Sequence, residues 1–401
     1  MRLRVLVGVQ DEGLNGIETY AEQVALAAVA TGHLVTLLVT TSKVAEAVRA
    51  RTAGTGLRVL CAGLATSSSA RTLAERLVPQ LHTQRLGDAL ERVLRADGAS
   101  YDVVHLNRPA LAEYAAGVAE RVFVAGWYYP HAPAQRLGET WSHTKGTLPR
   151  RLVLAAKSLA YYVGDVRGYR ATTTVVACTD TLASQLRAQG VAAVACPPPV
   201  QVGEASEAPA SAGANAELRL LVCAGDLSHP RKNTLDAVRA AGVLAQAGRT
   251  VRLSVIGGNA DALMSEIARL PRGVTVELMG KKAPHEVRAA MRDAHVFVLP
   301  SLYEEWGYVA VESILSGTPV VSYPVYPFAD MLVGGFGVVA TELRPEALAD
   351  AVLRAEQLPR GRGMVEQGAR RFGSAAVGSR LTAIWTGREQ AVQVYARAMG
   401  F

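Results

Sequence analysis

The chain has few cysteines, few aromatic residues and no long apolar run. Its four cysteines form no Cys-x-x-Cys pair, which excludes the usual spacing of zinc and redox sites. Aromatic residues make up only 6% and charged residues 19% of the 401 residues. No window holds about 18 uninterrupted apolar residues, so the sequence predicts no membrane-spanning helix. Neither a Gly-x-Gly-x-x-Gly run nor a Walker A lysine follows the first strand-like run, which disfavours a dinucleotide or ATP site there.

The chain does contain enough apolar material for two cores. Half of its residues are hydrophobic, and 401 residues are long for one domain and natural for two. The net charge of +7 is spread over scattered Lys and Arg residues, which disfavours a nucleic-acid partner but suits anionic donors or weak contact with an anionic membrane surface. The first apolar run is too short for a signal sequence. Cysteines inside apolar runs are typical of buried free thiols, so we expect a cytoplasmic protein.

Strand-like runs alternate with longer helical patterns along the whole chain, which predicts α/β domains with parallel sheets. The predicted strands cover residues 3–9, 34–39, 57–62, 103–106, 122–125, 174–177, 218–224, 252–256, 274–278, 296–299 and 320–323. Residues 198–217 are rich in Pro, Ala and Gly and read as a linker. The linker separates a first domain, 1–197, from a second, 218–377, and the last stretch is predicted to be helical.

The most informative segment, residues 300–330, carries two glutamates eight positions apart, Glu304 and Glu312. A predicted strand runs into this segment, and after Gly307 a helical pattern begins. The helix therefore starts at the carboxyl end of a parallel strand, where ligands bind in open α/β sheets. Amides at a helix start suit a phosphate, and the two carboxylates are placed to accept hydrogen bonds from sugar or ribose hydroxyls. An exposed helix face that bears two acids is the alternative.

This segment resembles the signature of glycosyltransferase family four. The resemblance rests on Pro300-Ser301, the two glutamates with seven residues between them, and the run Ser316-Gly-Thr-Pro-Val-Val321. It implies the GT-B architecture, an α/β fold of two facing Rossmann-like domains with parallel sheets and an interdomain cleft. It also implies a retaining, metal-independent enzyme that needs no cofactor besides a nucleotide-diphosphate sugar as co-substrate. The family's C-terminal helix, here 378–401, crosses back onto the N-terminal domain, which is the acceptor-binding one.

The resemblance assigns roles in the second domain. Glu304 would contact a hydroxyl of the donor sugar, and Glu312 would accept from the ribose hydroxyls. The helix start formed by Gly307, Tyr308 and Val309 would bind the donor diphosphate through its amides.

Residues 224–233 follow a strand and open another helix. The family has an arginine directly after the glycine of this turn and a lysine six residues later, and both grip the donor diphosphate. Lys232 matches the lysine, but Asp226 occupies the arginine position. We expect Arg231 to supply the missing cation, or Asp226 to pair with a neighbouring cation. A solvent-exposed basic turn is the alternative.

Two more loops of the second domain are donor-side candidates. Gly257 and Gly258 end a strand and permit close approach of the backbone to a ligand, although a plain tight turn has the same sequence. Lys281 lies in a loop, residues 279–282, that resembles the family's cradle for the nucleobase, or it is simply solvated.

In the first domain, Gly13 and Gly16 match the family's glycine loop near the donor phosphate. Many family members carry a histidine just past the strand equivalent to 122–125, close to the reacting carbon. Here the only histidine in that region is His131, several residues later, and a loop-capping histidine is the alternative. The acceptor-side candidates are the strand-end and loop residues Asn107, Arg108, Trp127, Tyr128 and Tyr129.

Residues 145–170 mix Lys and Arg with aliphatic residues and tyrosines. This pattern predicts either a basic amphipathic surface that docks on anionic lipid or on the acceptor, or a helix whose polar face lies in water.

These features predict a retaining glycosyltransferase that uses a nucleotide-diphosphate sugar. The first choice of acceptor is a small polar molecule of bacterial natural-product or thiol metabolism, and a glycolipid acceptor at a membrane is the second. From other classes, a non-catalytic nucleotide-sugar-binding protein, a Rossmann oxidoreductase and a GT-B epimerase stay open. The sequence leaves the donor base, the sugar and the oligomeric state open.

Overall fold

The computed structural model describes residues 2–10, 16–64, 75, 79–115, 118–127, 147–201 and 217–388. The chain divides into two compact units, Met1–Pro199 with Ser374–Phe401, and Val200–Gly373. Val200 and Gly373, the two ends of the second unit, pair with each other in a parallel bridge. The chain therefore enters and leaves the second unit at one place, a few residues from the boundaries expected at 197 and 378. Residues 202–216 of the expected linker lie outside the described residues.

The first unit contains a parallel sheet of seven strands in the order β3-β2-β1-β4-β5-β6-β7. The strands are β1 (Arg4–Gln10), β2 (Leu34–Val39), β3 (Arg58–Cys61), β4 (Tyr101–Leu106), β5 (Ala119–Gly126), β6 (Thr174–Ala177) and β7 (Ala193–Ala195). The helices between them are α1 (Gly16–Ala30), α2 (Ser42–Arg51), α3 (Pro79–Asp97), α4 (Ala112–Ala115), α5 (Leu148–Arg170) and α6 (Asp180–Ala188), with a short 3₁₀ turn at Pro109–Leu111. Among the described helices, none combines the length and the apolarity that crossing a bilayer requires.

Strand β1 lies at the centre of this sheet because it is apolar on both faces. Leu3, Val5, Leu6 and Val7 are buried. Such continuous apolar runs are typical of strands covered by helices on both sides. Strand β1 pairs with β2 on one edge and with β4 on the other, and the chain order reverses between these two neighbours.

The second unit repeats this plan with six parallel strands in the order β10-β9-β8-β11-β12-β13. They are β8 (Leu218–Asp226), β9 (Val251–Gly258), β10 (Val274–Gly280), β11 (Val296–Leu299), β12 (Val320–Ser322) and β13 (Gly337–Val339). The helices are α7 (Thr234–Gln246), α8 (Met264–Ile267), α9 (Pro284–Asp293), α10 (Tyr308–Leu315), α11 (Phe328–Met331), α12 (Pro345–Ala355) and α13 (Arg362–Phe372), with a 3₁₀ turn at Ala260–Leu263. Strand β8 takes the central position that β1 has in the first unit.

The parallel α/β organisation and all eleven predicted strands are present, several of them longer than predicted. Two strands were not predicted, β7 and β13, and each has only three residues. Three residues are too few to show a hydrophobic period, so no sequence pattern distinguishes them from loop. All four cysteines are free; Cys178 and Cys196 are buried, and Cys61 and Cys223 are half-buried.

The last described helix, α14 (Ser374–Trp385), belongs to the first unit and packs on α1. The contact is close because Gly378 has no side chain: a Cβ there would lie 2.8 Å from the Ala27 carbonyl oxygen. One turn further on, the Thr382 hydroxyl makes a 2.8 Å hydrogen bond with His33 Nε2. Residues 389–401 of the predicted C-terminal helix lie outside the described residues.

A buried histidine joins α14 to the sheet. His105, on β4, is fully buried; its Nε2 lies 2.7 Å from the Tyr20 hydroxyl and its Nδ1 lies 3.1 Å from Trp385 Nε1. An indole N–H can only donate, so Nδ1 accepts, and Nε2 carries the proton and donates to Tyr20. This arrangement needs the neutral imidazole, and burial lowers the pKa of His105 to about 3.

We predict that acid destabilises the first unit through His105. The imidazole titrates near 6.5 in the unfolded chain and near 3 when folded, so below pH 6.5 only the unfolded state takes up the proton. Lowering the pH from 7 to 5 should therefore reduce the free energy of unfolding by about 2 kcal/mol through this group alone. The measurement is urea denaturation at both pH values.

His105→Gln should remove this share of the acid sensitivity, whereas His285→Gln, at an exposed position, should retain it. An H105Q protein that lost as much stability in acid as the unaltered chain would contradict the prediction.

Candidate donor site

The candidate site lies at the carboxyl ends of three neighbouring strands of the second unit. Strand β8 is flanked by β9 and β11, and all three run in the same direction. The loops that leave them carry most of the predicted donor-side residues. Parallel topology therefore brings together segments that are up to about 80 residues apart in the sequence.

A buried carboxylate and two cations form the centre of this site. Glu304, in the loop after β11, is buried, and its Oε1 accepts hydrogen bonds from Lys232 Nζ and, at 2.9 Å, from the Ser301 hydroxyl. Its Oε2 lies 3.6 Å from an Arg231 guanidinium nitrogen. Burying a carboxylate is costly unless it is paired in this way. The structure thus brings Glu304, Lys232 and Arg231 together, as the sequence predicted.

Backbone contacts hold the two loops in this position. The Leu302 N–H donates to the Arg231 carbonyl oxygen at 2.8 Å, and the Arg231 guanidinium lies 6.0 Å from the centre of the Tyr303 ring. Lys232 and Arg231 are only partly buried, in contrast to Glu304. The arrangement can therefore present two positive charges to an anion while the carboxylate beneath them stays fixed.

The second glutamate of the motif has a different environment. Glu312, on α10, is largely desolvated, and this raises the pKa of its carboxyl group. Within the part of the chain that the structure describes, no residue donates a hydrogen bond to it. Burial raises the pKa of the Cys223 thiol to about 11. The charge of Glu312 raises this pKa further and the charge of Lys232 lowers it, so both side chains lie near Cys223. Glu312 therefore belongs to the same neighbourhood as Lys232 and Cys223.

Helix α10 begins at Gly307, which has a left-handed backbone (φ 83°). A side chain there would be strained and would approach the Phe328 ring to 3.1 Å. Tyr308 and Val309 are the first two residues of the helix, so their amides lie at the positive end of its dipole. Glu304 and this helix start belong to the same short loop.

Asp226 does not act as the sequence suggested. One expectation was an ion pair with a neighbouring cation, but its Oδ1 accepts hydrogen bonds from the Ser228 amide (2.9 Å), the Ser228 hydroxyl (2.6 Å) and Asn259 Nδ2 (2.9 Å). These bonds, the Ser228 hydroxyl first, lower the pKa of Asp226. The carboxylate thus ties the ends of β8 and β9 together. The other expectation, a cation supplied by Arg231, agrees with the position of Arg231 beside Lys232.

The paired glycines after β9 allow close packing of strand ends. Gly257 has φ 154°, and a Cβ there would lie 2.1 Å from the Ala224 carbonyl oxygen. A Cβ on Gly258 would lie 2.8 Å from Lys281 Cε, so the Lys281 side chain passes over Gly258. Lys281 is exposed, and its aliphatic part rests at the edge of the candidate site.

Two described candidates of the first unit, Asn107 and Trp127, make contacts within the fold. Asn107 is buried, and its side chain binds both the N–H and the carbonyl oxygen of Val9. Trp127 is buried against Tyr20 and donates its indole N–H to the Asn107 carbonyl oxygen at 3.1 Å. Both side chains therefore support the strand ends from within, and their expected contacts with an acceptor stay predictions. Arg108 is half-buried.

Several predicted residues have little or no structural description. Gly16 is the first residue of α1. Gly13, Tyr128, Tyr129 and His131 lie outside the described residues. Among the residues that are described, no cluster of three or more His, Cys, Asp or Glu side chains could hold a metal ion. The roles of these residues, and the independence from metals and cofactors, stay predictions.

The sequence did not single out Ser301 and Asn259. Ser301 lies inside the quoted Pro-Ser pair, three positions before Glu304, which is the only signal that could have indicated its bond to that carboxylate. Asn259 has a left-handed backbone (φ 60°), and an Asn after two glycines is a typical signal of such a turn.

Comparison with known proteins agrees with this geometry. Residues 205–372 match the family model of glycosyl transferases group 1. The second unit is therefore similar to the glycosyl transferases of group 1. The matched residues span nearly all of Val200–Gly373 and include Lys232, Glu304 and Glu312.

Two curated relatives are similar to parts of the chain. The 2-deoxystreptamine glucosyltransferase of Streptomyces kanamyceticus is 35% identical over 108 residues, which are 26% of this chain and 28% of that protein. The phosphatidyl-myo-inositol mannosyltransferase of Mycobacterium leprae (strain TN) is 28% identical over 261 residues, 63% of each chain. The chain therefore spans less than two thirds of either relative.

Among solved structures, the apo form of the lipopolysaccharide outer core galactosyltransferase WaaB is similar with a TM-score of 0.62 and 15% identity. The match covers 96% of this chain and 99% of that one. At this identity the likeness concerns the fold, and it confirms the predicted GT-B class with its two parallel-sheet α/β domains.

We predict that Gly257→Ala destabilises the second unit. The new Cβ would meet the Ala224 carbonyl oxygen, and alanine rarely adopts this backbone conformation. A loss of about 3 kcal/mol in the free energy of unfolding is expected. Gly225→Ala is the matched control, because a Cβ there meets nothing within 4 Å. Thermal unfolding of both variants makes the comparison, and equal melting temperatures would show that the close strand packing is unimportant.

Proposed function

We propose that the protein transfers a sugar from a nucleotide-diphosphate sugar to an acceptor, and that the donor binds at the carboxyl ends of β8, β9 and β11. The observation that carries the proposal is the contact of Glu304 with Lys232 and Arg231 beside the start of α10. Two partly exposed cations and a helix start suit a diphosphate, and a fixed carboxylate suits sugar hydroxyls.

The cations act on the leaving group in this proposal. As the bond between the anomeric carbon and the diphosphate oxygen breaks, negative charge grows on that oxygen. Lys232, Arg231 and the amides at the start of α10 stabilise this charge electrostatically. They supply the positive charge that a divalent cation would otherwise provide, which supports the proposed independence from metals.

The carboxylates position the donor. The diphosphate competes with Glu304 for Lys232 and Arg231, so a bound donor frees Glu304 to accept a hydrogen bond from a sugar hydroxyl. Glu312 has no hydrogen-bond donor among the described residues and accepts from the ribose hydroxyls.

We further propose that the configuration of the anomeric carbon is retained. The acceptor oxygen forms its new bond on the face that the diphosphate leaves, and a leaving phosphate oxygen takes the acceptor's proton. The resemblance to glycosyltransferase family four supports this route.

For the acceptor, we propose a small polar molecule. The similarity to a glucosyltransferase named for 2-deoxystreptamine supports this choice. A lipid acceptor is the second candidate, because the longer match is with a mannosyltransferase named for phosphatidyl-myo-inositol. Cys178 and Cys196 are buried and form no disulfide, which supports a reducing, cytoplasmic location.

A non-catalytic nucleotide-sugar-binding protein is the second candidate function, and Asp226 favours it. This residue replaces a diphosphate-binding arginine of the resembling family and is committed to the turn with Ser228 and Asn259. Both candidates bind the donor, but only a transferase cleaves it.

The first experiment is a thermal-shift panel with UDP, GDP, ADP and TDP and their common sugars, followed by a donor-hydrolysis assay with the best binder. Binding to the native state raises the melting temperature by mass action. Donor binding with slow hydrolysis supports a transferase, and binding without any hydrolysis supports the non-catalytic alternative. A protein that binds none of these nucleotides contradicts both.

We predict that Lys232→Met and Glu304→Gln each lower kcat/KM for donor cleavage by about 100-fold. The first removes charge stabilisation from the leaving diphosphate, and the second removes the contact that orients both the cation and the sugar. The double variant should lower kcat/KM by much less than the product of the two single losses, because the two side chains act as one unit. Glu342→Gln, which alters an exposed ion pair, is the control. Fully multiplicative losses would contradict the shared role.

We predict that Glu312→Gln weakens donor binding by about tenfold at pH 8, through loss of a charged acceptor for the ribose. The raised pKa of Glu312 means that this carboxyl is protonated at higher pH than an ordinary glutamate. The affinity of the unaltered protein should therefore fall as the pH is lowered, and E312Q should lack this component. Titration calorimetry with the nucleoside diphosphate measures both, with the exposed Glu366→Gln as control. Identical pH profiles for E312Q and the unaltered chain would exclude the ribose role.

A further inference from the structure

An apolar stripe runs along helix α5 on the side that faces away from its unit. Its members are Leu148, Leu152, Leu159 and Val163, whose exposed fractions are 60, 55, 37 and 41%. At 3.6 residues per turn these positions lie within about 60° of one another around the helix axis. Large apolar side chains in such a contiguous line are uncommon on a surface without a partner.

The opposite side of α5 packs on the body of the unit. A Cβ on Gly168 would lie 1.9 Å from the Pro109 carbonyl oxygen, and one on Gly164 would lie 3.5 Å from Ala110 Cβ. These glycines are about 150° round the helix from the stripe. The carboxyl-terminal half of the helix is therefore docked through Gly164, Gly168 and the buried Tyr169, whereas the four stripe residues are exposed. Val153 and Tyr161 are also exposed but lie outside the stripe. A helix that served only the core would have the reverse arrangement.

The charges on the helix are complementary to an anionic surface. Helix α5 carries five Lys or Arg residues and a single Asp. Arg170 continues the line of the stripe at its carboxyl-terminal end, and Arg167 borders it; both are exposed. A second copy of the chain in symmetric contact would bring a second helix of the same net positive charge against this one. A partner of opposite charge with an apolar interior avoids that repulsion.

We propose that helix α5 lies flat on an anionic phospholipid bilayer, with the stripe residues among the acyl-chain boundary and Arg167 and Arg170 at the headgroups. The 23-residue helix is about 35 Å long and would present its stripe over more than half of that length. This surface belongs to the first unit and is separate from the candidate donor site, so the proposal does not depend on which acceptor is used.

The test is co-sedimentation of the full chain with vesicles. Vesicles of phosphatidylcholine with 30% phosphatidylglycerol should bind the protein, and pure phosphatidylcholine vesicles should bind it at least tenfold less. The double variant Leu152→Glu, Leu159→Glu should bind the anionic vesicles at least tenfold more weakly. Each of Arg167→Gln and Arg170→Gln should weaken vesicle binding about fivefold, because one cation near an anionic membrane contributes about that factor to the affinity. Circular dichroism and thermal melts check that each variant is folded.

Matched controls alter equally exposed residues of the second unit. Leu343→Glu and Arg362→Gln should bind vesicles like the unaltered chain. If the L152E/L159E protein fails to fold, Leu148→Gln with Val163→Gln tests the same stripe with neutral side chains. Equal binding to both vesicle types, no binding to the anionic ones, or no effect of the stripe variants would overturn the proposal. So would a dimer in light scattering that the stripe variants convert to a monomer, because a second copy would then cover this face.

Discussion

The central position of β8 in its sheet is the constraint on which the candidate site depends. From β8 the chain continues to β9 on one side, whereas β11 pairs with β8 on the other side. The crossovers that follow β8 and β11 proceed in opposite directions along the sheet. Because such crossovers are right-handed, their helices lie on opposite faces of the sheet. The carboxyl ends of the two strands are therefore the place where ligands bind in open α/β sheets. Lys232 comes from the loop after β8 and Glu304 from the loop after β11, and they meet because β8 and β11 are neighbours in the sheet.

The ion pairs between these two loops also hold the loops together. Glu304 is buried and must be compensated, and Lys232, Arg231 and Ser301 share this task. Removing one partner leaves a desolvated charge, which is costlier than losing a surface ion pair. An anionic ligand changes this balance, because it offers the cations a second partner. In the proposed function, a diphosphate would take over part of this pairing with Lys232 and Arg231.

The sequence predicted the parts of this arrangement that depend on local pattern. The long apolar strands and the glycine at the start of α10 follow from residues that are close together. Parallel topology placed Glu304 and Lys232 in one donor site, but their direct ion pair was not predicted. The role of Asp226 could not be predicted, because it depends on Asn259, which is 33 positions away and reaches it only once β8 and β9 pair. The local sequence cannot show whether a polar or aromatic residue at a strand end faces a ligand or packs within the fold. The contacts of Asn107 with Val9 and of Trp127 with Tyr20 were therefore not predictable.

The two units share one topology but fill their central crevices differently. In the first unit, the side chain of Asn107 joins the end of β4 to β1 at Val9, and the buried His105 nearby is neutral. In the second unit, the equivalent strand ends carry Lys232, Arg231, Glu304 and Glu312, all of them ionisable. A diphosphate needs positive charge and free amides, which the described strand ends of the first unit do not combine. For this reason the proposed function assigns the charged part of the donor to the second unit, whereas Asn107 and His105 hold strand ends and helices of the first unit together.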